Sequence, residues 1–192
     1  MVKVLVLSPY PERILPVLET SKDSFWTNHL PPGAKPDWVV MYGHRQILKK
    51  PMLDAYKNRI INIHIGYLPW NRGASPNLWS WYDGTPSGVT IHKIDEGIDT
   101  GNILWQTGLY LEPNRKHTLA STYDLLHSTA AEILHITWPS IRDRRSKSSK
   151  QPKIGSYHTK AQTEELMKQF PLGWDTPIAA VIEAGKKSRE EK

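Results

Sequence analysis

The chain has 192 residues, 39% hydrophobic and 23% charged, enough for one domain to bury a core without metal or disulfide staples and awkward for two. It contains no cysteine, which excludes a disulfide framework, a zinc–thiolate site, an iron–sulfur cluster and a cysteine nucleophile. The net charge of +6 (25 Lys and Arg against 19 Asp and Glu) suits a small anion as readily as a nucleic acid, and much of it gathers in 141–153 (IRDRRSKSSKQPK).

The apolar run at Met1–Ser8 is too short for a signal peptide or a membrane span, so a soluble, cytoplasmic protein is expected. Within that run Lys3–Leu7 reads as a buried strand. Ile14, Leu15, Val17 and Leu18 fall at helical spacing over Glu12–Thr20, after which Pro31, Pro32, Gly33 and Pro36 punctuate the chain. Asp37–Tyr42 (DWVVMY) predicts a second strand and Lys50–Asn58 a helix. In Arg59–Ile65 (RIINIHI) a third strand puts Asn62 and His64 on one face. Pro76–Tyr82 predicts a short helix, and Gly88–Ile94 and Asn102–Leu109 two more strands. Thr118–Arg142 is a long amphipathic helix with Leu125, Leu126, Ala130, Ile133, Leu134 and Trp138 on its apolar side. The basic stretch 141–153 reads as a solvated helix end running into a flexible loop that could also touch a polyanion. A short Gly155–Thr159 segment, a helix near Thr163–Gln169 and a polar, disordered tail at 186–192 complete the chain, leaving 1–185 as the working domain. Alternating strands and helices predict an α/β fold with a largely parallel sheet.

Chemistry-bearing residues are densest in 62–76 (NIHIGYLPWNRGASP), followed by Gly88–Ile91 and the acidic loop Asp95–Gly101. The Asn62/His64 pair belongs near the carboxyl end of its strand, where open α/β sheets bind ligands. An amide can hold a carbonyl oxygen and an imidazole can move a proton near neutral pH. Asp99 could orient that imidazole and favour its cation. Together the three suit attack on a carbonyl by an amine with stabilisation of an oxyanion.

The sequence resembles the folate-dependent N-formyltransferases. The family order is Asn-x-His, Leu-Pro, Arg-Gly with a downstream Pro, Gly-Val-Thr-(Ile/Leu)-His, and an acidic loop ending Asp-x-Gly. Here those are Asn62, His64, Leu68–Pro69, Arg72–Gly73, Pro76, Gly88–His92 and Asp99–Gly101, within about residues 37–110. The resemblance implies a single Rossmann-like α/β domain with a mostly parallel sheet flanked by helices. It also implies transfer of a formyl group from the co-substrate 10-formyltetrahydrofolate to a primary amine, with Asn62, His64 and Asp99 as the catalytic trio and no metal. The folate would lie against Met41, Tyr42, Gly43, Arg45, Ile47 and Leu48 and under Asp95 and Gly97. The chain departs from the pattern twice. Gly66 stands where members usually have Ser, and the part before Asp37 is shortened, with one strand–helix unit where relatives commonly have two.

The acceptors usual for relatives are glycinamide ribonucleotide, methionyl-tRNA and nucleotide-linked amino sugars. Ser8–Arg13 lacks the glycine-rich phosphate loop of the first class, and the 50 residues after Arg142 are too few for the extra domain of the second. The expectation is therefore a nucleotide-linked amino sugar held by Trp70, Asn71, Arg72, Asn77 and Trp79, since aromatic faces stack on sugars or a base and Arg holds a diphosphate. Nucleic acid and membrane are not expected as partners, and a homodimer is left open. Other readings also stay open. Asp99–Gly101 spells the aspartic-protease triplet, although one triplet beside a long helix does not fit an all-β dyad enzyme. His64, His92, Asp95 and Asp99 are metal-ligand types, and a non-catalytic folate- or nucleotide-binding module could use the same fold.

Overall fold

A computed structural model describes residues 1–111 and 116–191. Its strands are β1 (Lys3–Leu7), β2 (Ser24–Thr27), β3 (Trp38–Tyr42), β4 (Ile60–His64), β5 (Arg72–Gly73), β6 (Gly88–Lys93), β7 (Ile103–Gly108) and β8 (Tyr157–His158). Its helices are α1 (Leu15–Thr20), α2 (Lys50–Ala55), α3 (Pro76–Asp83), α4 (Leu119–Arg142), α5 (Lys160–Met167) and α6 (Ile178–Glu190). Six strands form one sheet in the order β2-β1-β3-β4-β6-β7, and β5 pairs with β8 in a small second sheet. β2, β1, β3 and β4 run parallel, β6 runs antiparallel to β4, and β7 antiparallel to β6. This is the expected α/β architecture with a mostly parallel sheet flanked by helices.

Because side chains alternate along a strand, the sheet sorts its residues into two faces. One face carries Val4, Val6, Val40, Tyr42, Ile61, Ile63, Val89 and Ile91 and packs against Leu126, Ala130, Leu134 and Trp138 of α4. The other carries Leu5, Leu7, Val39, Met41 and Ile60 and packs against Met52 and Leu53 of α2 and against Ile94. The parity that puts Ile60 on this second face puts Asn62 and His64 there too. The β4–β6 register sets His92 opposite Asn62 and Thr90 opposite His64. The face is thus apolar under α2 and polar where β4 meets β6.

The long helix is fastened at both ends. Thr118 accepts from the Ser121 amide while Ser121 Oγ accepts from the Thr118 amide, a reciprocal cap that satisfies two N-terminal donors. Near the other end the buried Asp23 carboxylate accepts from the Val2 amide at 2.9 Å, Trp138 Nε1 at 3.0 Å and Arg142 Nη1 at 3.2 Å. That carboxylate joins the start of β1 to α4.

Three expectations change. The shortened part before Asp37 still contributes an edge strand, β2, which pairs parallel to β1. Ser24–Thr27 is only four residues long, with Phe25 and Trp26 half-buried, so it lacks a clean alternating signal. The polar run from Lys186 is not a disordered tail: α6 carries it to Glu190, Gly185 is buried against Tyr82, and Arg189 donates to the Tyr82 carbonyl; Lys192 lies outside the described residues. The stretch 141–153 is not a free loop throughout, since Ser149 forms an antiparallel bridge with Ile103. No helix among the described residues is long and apolar enough to cross a membrane.

Where α4 crosses β3, Tyr42 Oη meets His127 Nδ1, and His127 Nε2 is buried with no partner among the described residues. Burial, with Arg13 nearby and Asp124 only partly opposing, lowers the His127 pKa to about 4. In the unfolded chain the same ring titrates near 6.5, so between these values the unfolded state binds the extra proton and falling pH favours it. Stability measured by urea unfolding should therefore be fully present above about pH 6.5 and decline toward pH 4. His127→Gln, which keeps an acceptor for Tyr42 and removes the titration, should flatten that part of the decline.

Candidate active site

Asp99 is the centre of the polar patch, with its side chain only 13% exposed. Oδ1 accepts from Asn62 Nδ2 at 3.3 Å and lies 3.4 Å from His92 Nε2. Oδ2 accepts from the Gly73 amide at 2.9 Å and lies 3.5 Å from His64 Nδ1. Asn62 Nδ2 also reaches His92 Nε2 at 3.2 Å. Asn62 and His64, two of the three residues expected to act together, therefore each meet the third, Asp99, in the polar part of the sheet face under the 94–102 loop. His92, part of the Gly88–His92 motif and weighed from sequence as a metal-ligand type, joins them because the register sets it opposite Asn62. Among the described residues no group of three or more His, Asp or Glu is arranged to hold a metal ion.

The hydrogen-bond partners fix where the protons lie. His64 Nε2 lies 3.1 Å from the Asn71 carbonyl, which only accepts, so Nε2 carries a hydrogen. Nδ1 then turns a lone pair toward the Asp99 carboxylate, which also only accepts. Both ring nitrogens are satisfied together only in the imidazolium. Burial opposes that form: it pushes the His64 pKa below its ordinary value, against the upward pull of Asp99 and with His92 adding to the depression. For Asp99, burial by itself would raise the pKa, but His64, His92 and the Gly73 amide hold it well below the usual carboxylate range. The site is thus a fixed anion beside a buried imidazole that is neutral at rest and gains a partner on protonation.

The loops that build this arrangement are strained. Asn71, Ser75 and Asp99 have φ of 57°, 50° and 54°, and Gly73 has 86°. Left-handed non-glycine residues cost of order 1–3 kcal/mol each and persist where the surroundings over-determine them. Gly73 also needs its missing side chain, since a Cβ would lie 2.4 Å from the His158 carbonyl of β8.

The other sequence-predicted residues divide into those open to a ligand and those taken up by the fold. Met41 and Tyr42 are buried on opposite faces of β3, leaving their backbone and the following loop at the strand end. There Gly43 packs under Tyr10, Arg45 is exposed, Ile47 is 77% exposed and Leu48 is half-buried. Asp95 shapes its own loop by accepting from the Gly97 amide and from Thr100 Oγ1 at 2.6 Å. Trp70 is half-buried, and Arg72 donates through Nε and Nη2 to Gln151 Oε1.

Asn71, Asn77 and Trp79 do not present themselves to a ligand. Asn71 is bonded to Thr85 and Ser156, and Asn77 to the Leu119 carbonyl, Trp81 and Thr122. Trp79 stacks flat on His158 at 3.8 Å and donates to Thr163 Oγ1. Asn77 and Trp79 join α3 to α4, β8 and α5, and Asn71 ties its own loop to Thr85 and Ser156, because buried polar groups need internal partners. Sequence reasoning also missed Gln151, whose amide touches the Asp99 backbone; set among basic residues, it carries no local signal.

Comparison with known proteins matches residues 28–136, over half of the chain, to the formyl transferase family. The methionyl-tRNA formyltransferase of Finegoldia magna is 44% identical over 101 residues, covering 52% of this chain and 32% of the relative. That of Myxococcus xanthus is 33% identical over 161 residues, covering 80% and 48%. The chain thus spans about a third to a half of the length of these curated relatives. Among solved structures, the formyltransferase PseJ from Anoxybacillus kamchatkensis, in complex with UDP-4,6-dideoxy-4-formamido-L-AltNAc and tetrahydrofolate, is similar at a TM-score of 0.86 and 37% identity. That match covers 95% of this chain and 99% of PseJ.

Gly66 sets how closely the His64 ring can lie. A Cβ there would sit 2.6 Å from His64 Nε2 and 2.9 Å from Pro76 Cβ, so any side chain must displace the ring. Gly66→Ala should cost about 1–3 kcal/mol in urea unfolding, the usual scale of overpacking. Truncating His64 to Ala in the same chain should relieve part of that cost, and a double-mutant cycle measures how much.

Proposed function

The chain belongs to the formyl transferase family, and on that premise we propose that it moves a formyl group from 10-formyltetrahydrofolate to the primary amine of a nucleotide-linked amino sugar. The observation that carries formyl transfer is the single contact cluster of Asn62, His64 and Asp99 on one sheet face. The formyl donor supplies an electrophilic carbon. Overall, one C–N bond is exchanged for another: the amine gives up one hydrogen and the folate nitrogen gains one.

The chain's own residues have clear parts in this reading. Asn62 Nδ2, whose present contacts at 3.2 and 3.3 Å are long, can turn a hydrogen toward the formyl oxygen. His64 receives a proton at Nδ1, and the Asp99 carboxylate stabilises the cation so formed. The desolvation that keeps His64 neutral at rest leaves it ready to accept. The loop after β3 fits a flat pterin, which needs apolar surface with few polar partners. Ile47 is exposed there, and Ile98, 42% exposed, offers a second apolar side chain on the 94–102 loop.

The sugar acceptor is supported by the likeness to PseJ over almost the whole of both chains. It is supported also by Arg72, which donates to a neutral amide rather than a carboxylate and so keeps its charge for an anion beside half-buried Trp70. Transfer to methionyl-tRNA is the second reading. The curated relatives favour it, as does a cleft lined by Lys57, Arg59, Lys93 and Arg144 that suits a polyanion.

Purified protein given 10-formyltetrahydrofolate should release tetrahydrofolate and add one CO unit by mass to a UDP- or dTDP-linked amino sugar. Product only from methionyl-tRNA or glycinamide ribonucleotide would sink the sugar reading. His64→Ala and Asp99→Ala should each slow turnover by about 10²-fold or more, the scale of acid–base groups. Undiminished rates in both variants would overturn the roles given to these residues.

A further inference from the structure

Gln151 lies in the basic stretch after α4, yet its amide is fully engaged. Nε2 donates to the Asp99 carbonyl at 2.7 Å and to the Gly101 carbonyl at 2.8 Å. Oε1 accepts from Arg72 Nε at 3.1 Å and Nη2 at 2.7 Å. Two donated and two accepted bonds are the full capacity of a carboxamide. The contacts close a ring: Gln151 holds the Asp99 backbone and Arg72, and the amide of Gly73, next to Arg72, holds Asp99 Oδ2.

Asp99 needs such a hold. Its backbone is left-handed, and its carboxylate must meet Asn62 and His92 with one oxygen and Gly73 and His64 with the other. Turning the 99–101 backbone would swing that carboxylate off the sheet face. Gln151 grips this backbone on both sides of Thr100.

The segment that carries Gln151 is itself anchored at both ends. Ser149 exchanges backbone hydrogen bonds with Ile103 at 2.8 and 2.9 Å. Ser156 Oγ bonds the Asn71 amide and side chain, and β8 pairs with Arg72–Gly73. Residues 149–158 therefore form a strap over the loops that bear Asp99 and Arg72.

We propose that Gln151 is a positioning residue: it holds the Asp99 carboxylate against His64 by fixing the 99–101 backbone to Arg72. The proposal rests on the reading of Asp99 and His64 as groups of formyl transfer. Only an amide meets both demands. Glutamate would still pair with Arg72 but would set a carboxylate oxygen against two carbonyls, methionine of similar length bonds neither side, and lysine would repel the guanidinium.

The test compares Gln151→Met and Gln151→Glu with the parent chain by turnover and by NMR titration of the His64 ring. That ring is faced by Asp99 from the 94–102 loop and His92 from β6. With retained near-UV circular dichroism, kcat should fall about 10- to 100-fold in both variants, as a catalytic group misplaced by about an ångström costs. The His64 midpoint should move down as Asp99 withdraws. Gln151→Glu should in addition raise the acceptor KM, because it neutralises Arg72. An unmoved His64 titration in both variants overturns the proposal whether or not the protein turns over. A moved titration in a protein inactive with every acceptor upholds the placement of Asp99 and overturns the formyl-transfer reading instead.

Discussion

A carboxylate shut away from water has to be surrounded by donors, and in this protein that requirement organises the whole site. Asp99 draws contacts from β4, from β6 and from the Gly73 amide of β5, and its backbone is gripped from beyond α4. No single element supplies more than two of these partners. The carboxylate can occupy its place only when the sheet register, the 94–102 loop and the 149–158 strap are all in position. Taking a charge out of water costs several kcal/mol, and partial compensation leaves much of that cost standing. The site is accordingly a test of the complete fold rather than of one motif.

The sheet makes this possible by dividing its labour. Its α4 face is continuously apolar, and the long helix covers it with Leu126, Leu134 and Trp138. The opposite face is covered by a helix of only six residues, α2, and beyond it by loops. Loops can place single side chains and bare amides where a packed helix would place a stripe. Asn62, His64, Thr90 and His92 stand on that second face, and Gly73 brings a backbone amide to it. Left-handed backbone at Asn71, Ser75 and Asp99 shows what the loops bear to reach those positions. Tight packing on one face thus supplies stability, while the other spends some of it on geometry.

Much of this was legible in the sequence. Alternation in RIINIHI placed Asn62 and His64 on one face without any structure, and the acidic loop after β6 announced Asp99. Strand and helix periodicity located most elements to within a few residues. What escaped has physical causes. β2 is an edge strand of four residues, and β5 and β8 have two each, too short for a period to emerge. α6 ends in residues whose polarity reads as a tail, yet packing of Val181 and Gly185 upstream carries the helix through them. Asn77 and Trp79 have the composition of ligand-binding residues, and only the contacts reveal that they join helices.

Gln151 illustrates the deeper reason that site residues hide. A residue that acts by hydrogen-bonding main-chain carbonyls leaves no pattern of side-chain types at its targets, because every residue has a carbonyl. Its own neighbours, Lys150, Pro152 and Lys153, speak only of solvent. The informative contrast is chemical. Arg72 could have been fixed by an acid, which would hold it more strongly but cancel its charge. An amide fixes the guanidinium in orientation and leaves the positive charge available, and its other end is free to serve Asp99. One neutral side chain therefore couples the loop that bears Asp99 to the Arg72 cation without cancelling that cation's charge. The same logic accounts for Gly66, where having no side chain lets the imidazole rest close enough to reach both the Asn71 carbonyl and the carboxylate.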